Sequence, residues 1–326
     1  MITLGIESTA HTFGVGIVKD KVVLANERKL FTTEKGGIIP INAAQHHYEH
    51  CHQILKAALE KAKIKIADID LIAFSQGPGI GHCLKVGAAV AQSLHILTGK
   101  PLIGVNHCVA HLEIGSMQTP ATDPVLLYAS GANTQIIAYE GRKYRIFGET
   151  LDIGIGNFLD TFARDCGLGF PGGPLIEKLA IKGSNLVDLP YSVKGMDVSF
   201  SGLLTKLKQL HKQNKYSIED LSYSCQETAF AMLVECAERA LAHCGKKELL
   251  LGGGVACNKR FQEMAHKMCE ERGAVCYVLE NQFNVDNAAM IAWTGSVMYN
   301  AGQQTKIEDS KTKPYQRTDD ILVTWK

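Results

Sequence analysis

An apolar strand, a short turn rich in hydroxyl and glycine residues, and a second apolar strand occur twice in this chain, once at the head of each half, and that repeat limits the folds open to it. The first copy is Ile2-Thr-Leu-Gly-Ile-Glu-Ser-Thr-Ala-His-Thr-Phe-Gly-Val-Gly-Ile-Val18 and the second is Val125-Leu-Leu-Tyr-Ala-Ser-Gly-Ala-Asn-Thr-Gln-Ile-Ile-Ala-Tyr139. Both carry Ser-x-Ala-x-Thr, at Ser8, Ala10 and Thr12 and again at Ser130, Ala132 and Thr134, so the copies stand 122 residues apart. Either copy alone is an ordinary hairpin. The pair points to a duplicated domain. Small side chains in such a turn leave backbone N–H groups and hydroxyls free to face phosphate oxygens.

Between the copies lie His107 and His111, in Gly104-Val-Asn-His-Cys-Val-Ala-His111. One helical turn apart, both imidazoles leave the same helix face and can share a metal ion. Another such pair occurs among His46, His47, His50 and His52, but with Glu49 beside it and no carboxylate-bearing loop opposite, that cluster reads as a solvated helix face. The first pair has a candidate third ligand in Asp286, within Asn284-Val-Asp-Asn-Ala-Ala289, on a loop that opens a helix of the opposite half. Two imidazoles and a carboxylate leave positions open for water or a substrate oxygen, as in catalytic sites. Iron, zinc, manganese and magnesium are not separated by this donor set. A metalloprotease reading is disfavoured by Cys108, which stands where the zincin motif needs a glutamate.

Strands alternate with helices along both halves, which implies mainly parallel sheets covered by helices. After the first hairpin come a loop over residues 31–40, a helix over about 42–63, a strand over 70–75, a helix over about 84–98 and a strand over 102–105. The second half repeats the order with an insertion at about 150–220, then a helix over 221–244, a strand ending in Gly252-Gly-Gly254, a second strand over 274–279 and a helix over 288–299. A polar tail over residues 303–313 is the stretch expected to be poorly ordered. The division is residues 1–122, carrying the histidine pair, and 123–326, including the insertion and a C-terminal tail over 303–326. Two such halves with facing glycine turns describe an α/β fold of the actin-like ATPase type, with nucleotide in the cleft. The triple glycine fits as a flat surface for adenine or ribose.

Charge is nearly balanced, 34 Lys and Arg against 33 Asp and Glu, so a nucleic-acid partner would meet a local patch rather than a basic surface. The ten cysteines include no C-x-x-C spacing and read as buried hydrophobes in a reducing compartment. With no export signal and no apolar run of membrane-spanning length, a soluble cytoplasmic protein is expected.

Taken together, Gly5-Ile-Glu-Ser-Thr-Ala10, Gly77-Pro-Gly79, Asn106-His-Cys-Val-Ala-His111, Ser130-Gly-Ala-Asn-Thr134, Phe170-Pro-Gly-Gly-Pro174, Lys194-Gly-Met-Asp-Val-Ser-Phe-Ser-Gly202 and Asn284-Val-Asp-Asn-Ala288 resemble the tRNA threonylcarbamoyltransferase (TsaD-like) family over essentially the whole chain. The ending Gln316-Arg-Thr-Asp319 with Val323-Thr-Trp325 resembles its archaeal and eukaryotic branch, the catalytic subunit of the KEOPS complex. The resemblance implies transfer of threonylcarbamoyl from threonylcarbamoyl-adenylate to N6 of the adenosine next to the anticodon in ANN-decoding tRNAs. It implies His107, His111, Asp286 and Tyr128 as ligands of one divalent metal, iron by family likeness, with the first three as catalytic residues. Tyr128, Ala129, Ser130, Gly131, Ala132, Asp160, Gly173, Glu177 and Asn258 would hold the adenylate, or ATP or ADP. Implied partners are a kinase-like KEOPS subunit (a Bud-type ATPase), a small dimerising subunit, a further small subunit and tRNA, with no membrane. The kinase-like protein is sometimes fused in archaea, and no such domain is expected here. Ala132 departs from the family pattern, which commonly has a second glycine; a positive φ there would cost about 1 kcal/mol. The competing readings are a small-molecule kinase of this fold and an ATP-regulated scaffold.

Overall fold

Each copy of the repeated pattern forms an antiparallel hairpin at the centre of a sheet, in a computed structural model that describes residues 1–33 and 38–326. The middle of the loop expected over 31–40 lies outside the described residues. The first half runs β1 (Ile2–Glu7), β2 (Thr12–Lys19), β3 (Val22–Leu30), α1 (Pro40–Ala62), β4 (Leu71–Gly77), α2 (Gly81–Thr98), β5 (Leu102–Asn106) and α3 (His107–Gln118). The second opens with β6 (Val125–Ala129), β7 (Thr134–Glu140) and β8 (Lys143–Glu149). Its insertion follows as α4 (Ile155–Asp165), α5 (Gly173–Ala180), the two-residue strands β9 (Val193–Lys194) and β10 (Asp197–Val198), and α6 (Ser201–Lys212). The repeat resumes with α7 (Ile218–Cys244), β11 (Glu248–Gly252), α8 (Lys259–Glu271), β12 (Val275–Val278), the single turn α9 (Asn281–Asn284) and α10 (Ala288–Asn300).

Strand for strand the two sheets have one order, β3-β2-β1-β4-β5 and β8-β7-β6-β11-β12. In both, the first hairpin is antiparallel and the next two strands are parallel additions. Strands β4 and β6 are buried along their whole length, which is why Leu71–Phe74 and Val125–Ala129 read as unbroken apolar runs.

The two halves exchange their last helices. Helix α10, from the end of the second half, lies across β1, β2 and β4 of the first sheet, and α3 packs its Gly115 against Leu250 of β11 in the second. Close approach is possible because the strands offer glycine: a methyl on Gly5 would overlap the Ala288 carbonyl and the Ala292 amide, and one on Gly16 would overlap the Ala289 amide. A shared apolar layer results, in which Val105, Cys108 and Val109 of one half meet Tyr128, Leu250 and Met290 of the other.

The insertion, whose elements were not assigned from the sequence, holds the helices α4, α5 and α6. Two expectations change. Residues 303–313 are tied down rather than loose: Thr305 N donates to Leu102 O (2.9 Å), Gln76 Nε2 donates to the carbonyls of Asp309 (2.8 Å) and Lys311 (2.9 Å), and Ser310 is fully buried. Among the histidines of α1, His47 faces inward, fully buried, with Nε2 3.0 Å from Ala10 O and burial pushing its pKa down to about 4. All ten cysteines are free thiols. Among the described residues no helix is long and apolar enough to cross a membrane.

Candidate active site and metal centre

The histidine pair and the aspartate enter from equivalent corners of the two halves. His107 is the first residue of α3, whose start is capped by Asn106 Oδ1 accepting from the amides of Cys108 (3.0 Å) and Val109 (3.1 Å). Asp286 stands just before α10, capped in the same way by Asn287 Oδ1 accepting from Met290 N (3.0 Å). Asparagine suits both positions because its side chain replaces the missing acceptor for a helix's first amides. The exchange of helices then brings Asp286 Oδ1 to 3.4 Å from His107 Nε2 and 3.6 Å from His111 Nε2.

One ligand atom from each of His107, His111 and Asp286 can lie within 4.8 Å of the other two, a spacing one cation can bridge. Both ring nitrogens of His111 are buried and, among the described residues, have no hydrogen-bond partner. A buried imidazole left in that condition is costly for a folded protein, and a bound cation would satisfy it, so the donor set fits a metal. Tyr128, at the end of β6, is buried with its ring centroid 4.8 Å from that of His111.

Sequence reasoning gave Glu7 no role, yet it orients the first histidine. Its Oε2 lies 3.0 Å from His107 Nδ1, while Oε1 accepts from the amide (2.7 Å) and hydroxyl (2.5 Å) of Thr9. The available signal was a carboxylate closing an otherwise apolar strand. With Nδ1 facing Glu7, Nε2 is turned toward Asp286, the arrangement in which a carboxylate fixes a ligating imidazole. The Glu7→Gln variant is expected to bind metal about tenfold more weakly in a chelator competition. An unchanged dissociation constant would mean that α3 alone positions the ring. On the other side, Arg28 of β3 donates through Nη1 to the carbonyls of Gln282 (3.1 Å) and Asp286 (3.4 Å), tying the aspartate loop to the first half.

Burial alone would push both imidazoles down. At His107 the Glu7 and Asp286 carboxylates prevail and hold it well above the usual histidine range. At His111 burial prevails over the pull of Asp286, with the His107 charge adding to it. Burial would raise Asp286, but the two imidazoles keep it well below the ordinary carboxylate value. A metal must therefore displace a proton from His107, so metal affinity should weaken as pH falls, which the same competition repeated across pH would detect.

The two hairpin turns differ in what they face. Ser8 and Thr9 of the first are buried, with Thr9 spent on Glu7, so this turn serves the metal corner. The second, Ser130 to Ala132, is gripped by the start of α4, where Gly156 N donates to Ser130 O (3.0 Å) and Asn157 N to Gly131 O (2.9 Å). Ala132 lies outside the left-handed region, so its methyl strains nothing. Behind the turn Gly253, at φ 89°, lies against the Ala129 carbonyl where a Cβ would overlap it.

The remaining adenylate candidates lie on α4, on α5 and at the start of α8. Asp160 Oδ1 accepts from Gly172 N (2.7 Å), beside Gly173, and burial raises its pKa. Glu177 Oε1 accepts from Lys259 N (2.7 Å), while the adjacent Asn258 caps α8 through Phe261 N (3.1 Å) and donates to Gln226 Oε1 (3.2 Å). His11, from the first turn, meets Phe170 edge-on with centroids 6.0 Å apart, a direct contact between the two halves.

A family model described as TsaD, tRNA N6-adenosine threonylcarbamoyltransferase, matches residues 22–293. A protein of Thermococcus kodakarensis named tRNA N6-adenosine threonylcarbamoyltransferase is 57% identical over 325 residues, covering 100% of both chains. A protein of Methanosarcina mazei named probable bifunctional tRNA threonylcarbamoyladenosine biosynthesis protein is 54% identical over 99% of this chain and 59% of its own length. Among solved structures, HypF of T. kodakarensis superposes with a TM-score of 0.65 at 14% identity, over 92% of this chain and 48% of that one. At that identity the likeness concerns the fold alone, and the fold is of the actin-like ATPase type.

Proposed function

This chain belongs to the TsaD family of tRNA N6-adenosine threonylcarbamoyltransferases, and from that premise we propose that it moves threonylcarbamoyl from an adenylate in its cleft to the adenosine next to the anticodon of ANN-decoding tRNAs. The observation that carries this reading is the convergence of His107, His111 and Asp286 beside Tyr128, two residues before the turn that begins at Ser130. Adenylate and metal would thus share one continuous stretch of backbone.

We take residues 1–122 and 123–326 as the halves that close on the donor. Ser130 and the amides around Gly131 meet its phosphate, Asp160 and Glu177 accept from ribose hydroxyls with the capacity left to each carboxylate, and Asn258 reaches the base or ribose. His107, His111, Asp286 and the Tyr128 phenol would hold one divalent ion, which when bound supplies Lewis-acid polarisation of the carbamoyl or phosphate oxygens. Transfer forms the bond from N6 to the carbonyl carbon and breaks the bond from that carbon to the phosphate oxygen, AMP leaving with the electron pair and the proton lost by N6 passing to the departing phosphate or to water. Glu7 and Arg28 touch neither reactant; they keep His107 and the Asp286 loop in place. We further propose that the chain works as the KEOPS catalytic subunit, with a kinase-like subunit and small partner subunits.

The test is modification of an unmodified ANN-decoding tRNA transcript, with the adenylate-forming enzyme and KEOPS partners present, read by nucleoside mass spectrometry. Threonylcarbamoyl-adenosine should form only when this protein is added. Absence of product with a full partner set would favour a small-molecule kinase or a scaffold.

A further inference from the structure

The segment 311–317 carries three cations, Lys311, Lys313 and Arg317, one tyrosine and no carboxylate, in a chain whose net charge is only +1. Its residues alternate in exposure: Lys311, Lys313, Tyr315 and Arg317 face solvent, while 312, 314 and 316 are turned partly inward. Tyr315 is 94% exposed. An exposed tyrosine alone is ordinary, but the backbone that carries this one is hydrogen-bonded on both sides of it. It sits at the corner of a turn in which Gln316 N donates to Lys313 O (3.1 Å), with Pro314 beside it fixing the backbone.

The inner face of the segment is bonded to the strand ends that lead into the metal centre. Lys313 N donates to Gln76 O (2.7 Å) and Gly79 N to Pro314 O (3.1 Å). Asn106 Nδ2 donates to Gln316 Oε1 (3.3 Å) and Arg317 O (3.4 Å), and Asn106 immediately precedes His107. An exposed aromatic ring in line with cations therefore stands on a segment whose next two residues, Gln316 and Arg317, are hydrogen-bonded to the residue that precedes a proposed metal ligand. Arg317 is shared with Asp319 (3.1 Å) and Glu149 (3.5 Å), which leaves Lys311 and Lys313 as the freer charges.

We propose that the surface formed by Lys311, Lys313 and Tyr315 seats the single-stranded nucleotides that flank the reacting adenosine, one base stacking on Tyr315 while the two lysines meet backbone phosphates. Stacking on an aromatic with nearby cations is how single-stranded nucleic acid is held without a base-specific code. The inference rests on tRNA being the substrate and adds the part of this chain that grips it.

The experiment uses the full chain with its partner subunits and a labelled anticodon stem-loop RNA, binding being followed over a range of salt concentrations. Tyr315→Ala should weaken binding about tenfold and Tyr315→Trp should restore it. Lys311→Gln with Lys313→Gln should flatten the slope of log affinity against log salt by about 1.4. In turnover the Tyr315→Ala loss should fall on KM for tRNA rather than on kcat, and its metal content reads whether the start of α3 has stayed intact. Wild-type affinity and salt slope in all three variants would overturn the proposal while leaving transfer itself standing. Loss of partner assembly with RNA binding intact would also overturn it, assigning the surface to a protein. If the wild type neither binds the stem-loop nor modifies tRNA, the transferase reading fails too.

Discussion

Substituting His107 by alanine, or His111 by leucine, is expected to lower threonylcarbamoyl transfer by about a thousandfold or more and to remove the bound metal, since a preorganised charge at the reacting oxygens is worth that much. The two variants should nevertheless differ in stability when both are compared free of metal. His107 is paired with the fully buried Glu7 carboxylate at 3.0 Å, and its removal leaves that charge without its partner. Breaking a buried pair from one side costs about 3 kcal/mol. Among the described residues His111 has no hydrogen-bond partner for either nitrogen and stands 3.6 Å from Asp286, so an apolar residue of similar size removes two unsatisfied polar atoms at the cost of part of the support for the Asp286 charge, and should destabilise the metal-free protein less than loss of His107 does. Urea midpoints of the two metal-free variants, with metal content and transfer measured alongside, would test this. Equal destabilisation would show that Glu7 does not depend on His107, and normal turnover in either variant would remove the metal from the mechanism.

Gly5→Ala and Gly16→Ala should each destabilise the protein by roughly 3 kcal/mol or more, because the added methyl meets backbone of α10 rather than a yielding side chain. Each should also weaken metal binding, since lifting the start of α10 carries Asp286 away from the histidines. Gly14→Ala on the same hairpin is the control. Its methyl would meet nothing closer than 3.4 Å, an ordinary contact, and should change stability by less than about 1 kcal/mol. Thermal unfolding of the three variants decides the matter. Were Gly5→Ala and Gly14→Ala equally mild, the helix would not be as tightly seated as its contacts imply.

The elements legible in the sequence are those whose signal is local. Repeated hairpins, apolar strands such as Val125–Ala129 and helix stops at glycine all lie within a few residues of the structure they specify. The candidate metal triad was legible for a different reason, because paired helical histidines and an isolated aspartate are chemically conspicuous. Glu7 escaped notice because its meaning depends on a partner 100 residues away in the chain. His47 resembled its solvated neighbours until Phe13 and Ala10 were placed beside it. The tail over 303–313 has a polar composition typical of loose segments, yet it is held mainly by backbone carbonyls and amides, groups that composition does not register.

The exchanged helices have a consequence for how the protein comes into being. During synthesis the first sheet is complete once Asn106 has left the ribosome, but the helix that covers one of its faces begins only at Ala288. Nearly two hundred residues must therefore be made while Gly5, Gly16 and their apolar neighbours wait uncovered, a long exposure for a sheet prone to aggregation. Neither half should be recoverable as a soluble piece when expressed alone, whereas the two fragments produced together should find each other and regain the fold.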